Sequence, residues 1–250
     1  MRRSIALTLV LSVGFGLAAC KSAPKEDKLL KELANLDKET IFERAEALYE
    51  KEKYEDSRRM FSFLYDTFPN DPLGHKAALR VADTYAVRTD SVNLTEARLR
   101  YKDFANRYPN DPSRDYALLM LGKTYTSGRL RPDRDLTPIR EALDAYQQVI
   151  TLYPSSPHVE EARTRIAELR GLLAEHEWQV AQYYIRNKRW RGALSRLENL
   201  KQSFPEYPRM AEVESTIENV QQEAAALNPV EPPVGDVAPT DKRPQPLANR

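Results

Sequence analysis

An all-α fold of stacked helical hairpins is what this sequence predicts, and three observations predict it. Helix-favouring residues fill a 250-residue chain that holds only 8 glycines. The phrase "DTFPNDP" at 66–72 returns as "NRYPNDP" at 106–112. Four aromatic–proline pairs, Phe68-Pro69, Tyr108-Pro109, Tyr153-Pro154 and Phe204-Pro205, share one pattern of residues upstream. The repeated phrase reads as a helix stop followed by a helix start. Pro69 lacks an amide donor and clashes with the preceding turn, so it ends the helix running through Phe68. Asp71 can cap the next helix and Pro72 suits a first helical position, where no donor is required.

Twelve residues before each closing proline stands a small residue: Ser57, Ala97, Ala142 and Ala193. Eight before it comes a large one, Phe61, Tyr101, Tyr146 or Leu197, and five before it another apolar one, Leu64, Phe104, Val149 or Leu200. This is the second-helix half of a tetratricopeptide (TPR) repeat. The first-helix half is clearest at Leu118-x2-Leu121-Gly122-x2-Tyr125, with looser copies at Ala78-x2-Val81-Ala82-x2-Tyr85 and Val180-Ala181-x2-Tyr184. In the first repeat Ala45 and Leu48 take the small and large places. Small residues let two helices approach, and the large ones fill the gap against the next hairpin. The predicted fold is therefore a tetratricopeptide-like superhelical solenoid over 39–227.

The copies are unevenly spaced. From the first-helix small residue to the closing proline is 24 residues in the first and last repeats, 27 in the second and 32 in the third. The excess of the third falls in "TSGRLRPDRDLTP", 126–138, an inserted loop. One long helix is expected over about 157–187, joining two halves of the solenoid, and a capping helix from about Arg209 to Leu227. Six prolines and few bulky apolar groups make 228–250 a disordered tail.

The amino terminus begins "MRRSIALTLVLSVGFGLAAC". Two arginines, an apolar run and small residues read as a signal peptide over 1–19, too short to span a membrane. Leu17-Ala18-Ala19-Cys20 resembles the bacterial lipobox, whose cysteine becomes the acylated first residue after cleavage. That resemblance implies lipidation of Cys20 with fatty acyl chains such as palmitate. Lys21 in place of Asp implies sorting to the outer membrane by the same resemblance. Residues 20–38 are then a short charged, lipidated tether. Cys20 is the only cysteine, so no intrachain disulfide is possible.

The formal net charge is +1, which argues against a nucleic-acid partner. Catalytic constellations are lacking: His75, His158 and His176 have no metal-ligand spacing, and there is no phosphate-binding loop or nucleophile elbow. Asp133 and Asp135 could suggest paired acids, but Arg131 and Arg134 beside them make local ion pairing the better account. The expectation is a non-enzyme with no metal and no cofactor besides the covalent lipid. What remains is a binding surface. First helices of such solenoids line a groove, and Phe42, Tyr49, Leu79, Asp83, Tyr116, Leu119 and Lys123 stand next to the packing positions, a set suited to an extended or helical peptide. Simple packing is the competing account of each single residue.

Taken together, "DYALLMLGKTY" (115–125), "RPDRDLTPIREAL" (131–143) and "EWQVAQYYIRNKRWRGALSRLENLKQSFP" (177–205) resemble the BamD family, the TPR lipoproteins of the outer-membrane β-barrel assembly machinery. The resemblance covers nearly all of the globular part. It implies an outer-membrane lipoprotein at the periplasmic face. Its amino-terminal repeats would hold unfolded barrel proteins, and its carboxy-terminal repeats the barrel-forming BamA subunit. Arg196 in "SRLE" takes the place of a family arginine associated with BamA docking, and Phe68 that of a family tyrosine. The charged tether and proline-rich tail depart from the family. The alternative function is a periplasmic TPR protein coordinating cell-wall synthesis with envelope constriction. A peptidoglycan hydrolase would need an acid or metal site that the sequence lacks.

Overall fold

The computed structural model describes residues 30–128 and 135–226, and among these every regular element is a helix. After a helical turn at 30–33 come α1 (Lys38–Glu50), α2 (Tyr54–Thr67), α3 (Pro72–Ala86), α4 (Ser91–Arg107) and α5 (Arg114–Thr126). Then follow α6 (Thr137–Leu152), α7 (Val159–Arg186), α8 (Trp190–Ser203) and α9 (Met210–Ala226). Short connections make sequential helices antiparallel neighbours. Contacts join α1 to α2, α4 to α5, α5 to α6, α6 to α7, α7 to α8 and α8 to α9. The fold is all-α and tetratricopeptide-like. The signal segment, Cys20, residues 129–134 of the insertion and the proline-rich tail lie outside the described residues.

Packing follows the repeat pattern position by position. Ser57, Ala97, Ala142 and Ala193 are fully buried, as are Phe61, Tyr101, Tyr146 and Leu197. Leu64, Val149 and Leu200 are likewise at 0%, and Phe104 at 2%. Burying such a large side chain contributes roughly 1.5–3 kcal/mol each, so these positions are the main source of hairpin cohesion. Ser57 is the polar member of its set. Its hydroxyl donates to the Ala45 carbonyl on α1 at 2.8 Å, which offsets the cost of burying it.

Each aromatic before the proline ends its helix in the same way. The amides of Phe68, Tyr108, Tyr153 and Phe204 donate to the carbonyls of Leu64, Phe104, Val149 and Leu200 at 2.9, 2.9, 3.0 and 2.9 Å. Their own carbonyls then accept from Asp71, Asp111, Ser156 and Tyr207 at 2.9–3.2 Å. The helix after the joint starts differently in one case. It begins five residues past the proline at Arg114, Val159 and Met210, but three past it at Pro72. Gly74 occupies the fifth place in that first joint, and a Cβ there would lie 1.9 Å from the Phe68 carbonyl oxygen. Only a glycine lets the new helix draw so close to the old one, so "NRYPNDP" repeats the letters of "DTFPNDP" without repeating its early start. Asp71 does accept from the Leu73 amide at 2.8 Å, as expected of a cap.

The chain divides into two compact units, Met1–Arg80 and Val81–Arg250, so the division falls inside α3 and not in the long helix. In the first unit Ile41, Phe42 and Ala45 of α1 and Phe61 and Leu64 of α2 are buried, with Phe42 against Phe61, and Leu33 is buried as well. The second unit holds two apolar clusters. One draws on α4 to α7, with Tyr146, Ile139, Leu118 and Leu169. The other draws on α7 to α9, with Trp178, Trp190, Leu197 and Val213. The 28-residue α7 belongs to both: Ala162 and Leu169 to the first, Ala174, Trp178 and Ala181 to the second.

Two helix ends are tied off without glycine. Glu52 after α1 and Lys188 after α7 have φ of 58° and 52°. At each, the next amide reaches back five residues, Lys53 to Leu48 and Arg189 to Tyr184, both at 2.9 Å. This is the Schellman closure, which usually favours glycine at its left-handed position.

Gly122 marks the closest approach in the first cluster, since an added Cβ would lie 2.4 Å from the Tyr146 ring. Gly122→Ala and Gly74→Ala are each expected to destabilise by about 1–3 kcal/mol, the usual cost of overpacking. Chemical denaturation followed by circular dichroism measures this. Wild-type midpoints in both variants would contradict the close-approach account.

Candidate partner-binding surface

The side chains expected to line the groove divide into buried and half-buried sets. Phe42 is 7% exposed and meets Phe61 edge-on at 5.3 Å between centroids, with the Lys76 ammonium 4.8 Å from its ring. Leu79 is 4% exposed and Leu119 2%, the latter inside the first cluster of the second unit. All three are buried in the described fold. Phe42 meets Phe61 of α2 and Lys76 of α3, and Leu119 sits in a cluster drawn from α4 to α7, so a position one step from a packing residue still meets a neighbouring helix. Asp83 is also buried, at 4%. Its Oδ1 accepts from the Tyr101 hydroxyl at 2.6 Å and from the Tyr116 hydroxyl at 2.9 Å.

The half-buried set is committed to internal contacts. Tyr49 lies against Tyr54 at 5.2 Å, and the Arg80 guanidinium stacks over its ring at 4.1 Å. Arg80 also grips Glu46 with two bonds, Nε to Oε1 at 2.7 Å and Nη2 to Oε2. Bidentate pairing and ring stacking together are a role that lysine could not fill. Tyr116 adds a tilted contact with His158 at 5.8 Å to its bond with Asp83. The Lys123 ammonium pairs with Glu161 at 2.7 Å. Phe68 is half-buried at the joint it forms.

Arg196 on α8 is one-third exposed, and its Nη1 donates to Glu177 Oε2 at 3.2 Å. Glu177 is the more buried partner, at 16%. A pair this close to the surface contributes little to stability.

Sequence reasoning missed the partners: Glu46, Arg80, Glu161, Glu175, Glu177 and Arg209. A signal was present. Glu46 and Arg80 stand 34 residues apart, Asp83 and Tyr116 33, and Lys38 and Asp71 33. Complementary polar residues one repeat length apart are what stacked equivalent helices would join. Lys38 and Asp71 shift each other accordingly. Their shared hydrogen bond is the first cause in both, holding the Asp71 carboxyl below and the Lys38 ammonium above its ordinary range.

No helix among the described residues is long and apolar enough to cross a membrane. Comparison with known proteins supplies the context for this surface. The model of the YfiO family, described as outer membrane lipoprotein, matches residues 34–227. The outer membrane protein assembly factor BamD of Haemophilus influenzae is 23% identical over 214 residues, covering 82% of this chain and 77% of that protein. Its counterpart in Neisseria gonorrhoeae is 24% identical over 208 residues, covering 79% and 77%. That of Pasteurella multocida is 21% identical over 216 residues, covering 82% and 79%.

The last junction yields a pH-dependent test. The Tyr207 hydroxyl, 6% exposed as a residue, donates to Glu175 Oε2 at 2.5 Å, and Arg209 approaches the same oxygen at 3.7 Å while lying over Trp178 at 4.6 Å. Burial first, and the Glu175 carboxylate second, push the Tyr207 hydroxyl up to about 12 from 10.0. A raised pKa means that the folded state holds the proton more tightly. The stabilisation is therefore whole below pH 10 and fades as pH rises towards 12. Tyr207→Phe is expected to lose about 1–2 kcal/mol at neutral pH, and the gap from wild type should narrow between pH 10 and 12. A gap independent of pH in denaturation curves would contradict this.

Proposed function

Because the chain belongs to the YfiO family of outer membrane lipoproteins, we propose that it is a non-catalytic scaffold of outer-membrane β-barrel assembly. The observation that carries this reading is the extent of the likeness. The family match runs through the solenoid from its first helix to its last, and the assembly-factor relatives cover about four-fifths of the chain, not one generic hairpin. In this reading Cys20 carries lipid and confines the solenoid to the periplasmic face of the outer membrane. Confinement raises its effective concentration beside other anchored subunits.

The amino-terminal repeats take unfolded barrel substrates, with Phe68, Tyr49, Tyr116 and Lys123 as contacts. Tyr49 in the first unit, and Tyr116 and Lys123 in the second, are each already held by neighbours of their own unit, so a substrate would meet side chains that are positioned in advance. The carboxy-terminal repeats hold a BamA-like barrel subunit. Arg196 suits that role chemically. A guanidinium carries five donors, and Glu177 engages Nη1 alone among the described residues. Nε and Nη2 remain for a carboxylate of the partner.

Arg196→Glu is expected to lower co-isolation with the central barrel subunit by tenfold or more, in line with the roughly 2–5 kcal/mol that a close charge pair commands at an interface. Co-isolation at the wild-type level from detergent-solubilised envelope would overturn the docking assignment. Cys20→Ala is expected to move the protein from the membrane to the soluble fraction, and retention in the membrane would remove the anchor from this account.

A further inference from the structure

Among the described residues, a groove of about 590 Å³ opens in the second unit, between the end of α7, the start of α8 and the face of α9. That is the scale of a binding cleft and not of a packing defect. Ile185, Trp190 and Val220 give it an apolar lining, and Gln182 and Asn219 add amides. Two carboxylates, Glu212 and Glu223, stand in the same lining against one cation, Lys188. Arg209 holds Glu212 at 2.8 Å, while Glu223 has no ion pair among the described residues. Apolar walls with a carboxylate at the rim suit a long cationic side chain. Its methylenes lie along the walls and its head meets the acid.

Side chains of that kind border the same groove. Arg186, Lys188 and Arg189 fall within four residues at the α7–α8 turn, all exposed and none in an ion pair among the described residues. Arg191 is exposed too but already engaged, so the patch counts three cations. No acidic residue occurs between Glu177 and Glu198. On α9 the balance is reversed, with four glutamates and no lysine or arginine from Met210 to Ala226. The two signs do not neutralise each other within one molecule, since Lys188 shares the groove lining with Glu223 and does not pair with it.

A basic turn beside an acid-rimmed apolar groove is a self-complementary patch. A two-fold axis through it sets each turn on the other molecule's groove, so every contact is made twice. We propose that this groove and turn form an interface with a second copy of this chain. Arg186 and Arg189 of each copy lie along Ile185, Trp190 and Val220 of the other, with Glu223 receiving a guanidinium. The charges favour this occupant. A wholly acidic partner would face Glu212 and Glu223, and a wholly basic one would face the three cations of the turn. A second copy brings both signs in the matching places. The proposal does not depend on the docking role of Arg196 or on the lipid.

The test uses residues 20–250 with Cys20→Ser, so that neither thiol nor lipid contributes, and sedimentation velocity over a concentration series reads the mass. The protein is expected to form a dimer whose dissociation constant rises about tenfold between about 50 and about 500 mM salt. Arg186→Glu with Arg189→Glu turns the patch acidic throughout. Asn219→Lys with Glu223→Lys turns it basic throughout and leaves the Arg209–Glu212 pair intact. Each variant alone is expected to self-associate about a hundredfold more weakly, because like charges then face each other. Their equimolar mixture is expected to recover a one-to-one dimer, which also shows that both variants are folded. A wild type that stays monomeric, a dimer unmoved by either pair of changes, or a mixture no tighter than its components would each overturn the proposal. Assemblies larger than a dimer would overturn the two-fold arrangement. A monomer that the turn arginines instead hold on phosphatidylglycerol vesicles would overturn it in favour of a lipid surface.

Discussion

Two helices of a hairpin can lie close here only where one of them has almost no side chain, and the structure depends on that constraint. Ala97, Ala142, Ala193 and Ser57 hold those places, and Gly122 holds the tightest, against the ring of Tyr146. Four residues after each small one, a large side chain fills the space that the approach leaves, and every one of the four is fully buried. A hairpin built in this way still has an uncovered apolar flank, so the next hairpin is required rather than optional. Stacking, hairpin closure and the burial of aromatics are thus consequences of one steric condition.

The same condition explains how much was legible in the sequence. The twelve packing positions were readable because each is defined by size alone, at fixed distances from a proline that marks a helix end. The proline joints were readable for a similar local reason. The early start of α3 was less so. It turns on Gly74, whose value lies in a contact with the Phe68 carbonyl that no periodicity reveals. The division inside α3 was not legible either, because it reflects how contacts are distributed and not any break in pattern.

The candidate surface was read less well, and the failure has a definite form. Phe42, Leu79 and Leu119 were placed one step round the helix from the packing stripe, where the sequence of a single helix separates core from groove poorly. Neighbouring helices reach Phe42 and Leu119 there and draw them in. Tyr49, Tyr116 and Lys123 stay half-exposed, but their company was invisible from their own helices. Arg80, Asp83 and Glu161 come from the neighbouring repeat. Pairs such as Glu46 with Arg80 recur at the interval of the repeat itself, so the information is present as a long-range correlation of charge that no single helix displays.

The double membership of α7 sets how the second unit comes apart. Its first half completes one apolar cluster and its second half the other. In an ordinary array each interface could open by itself, with cooperativity decaying from repeat to repeat. A continuous 28-residue rod removes that freedom, because fraying at its centre would expose both clusters together. Backbone amides of Leu169 and Trp178 then belong to one cooperative block, and slow exchange with solvent in one implies slow exchange in the other.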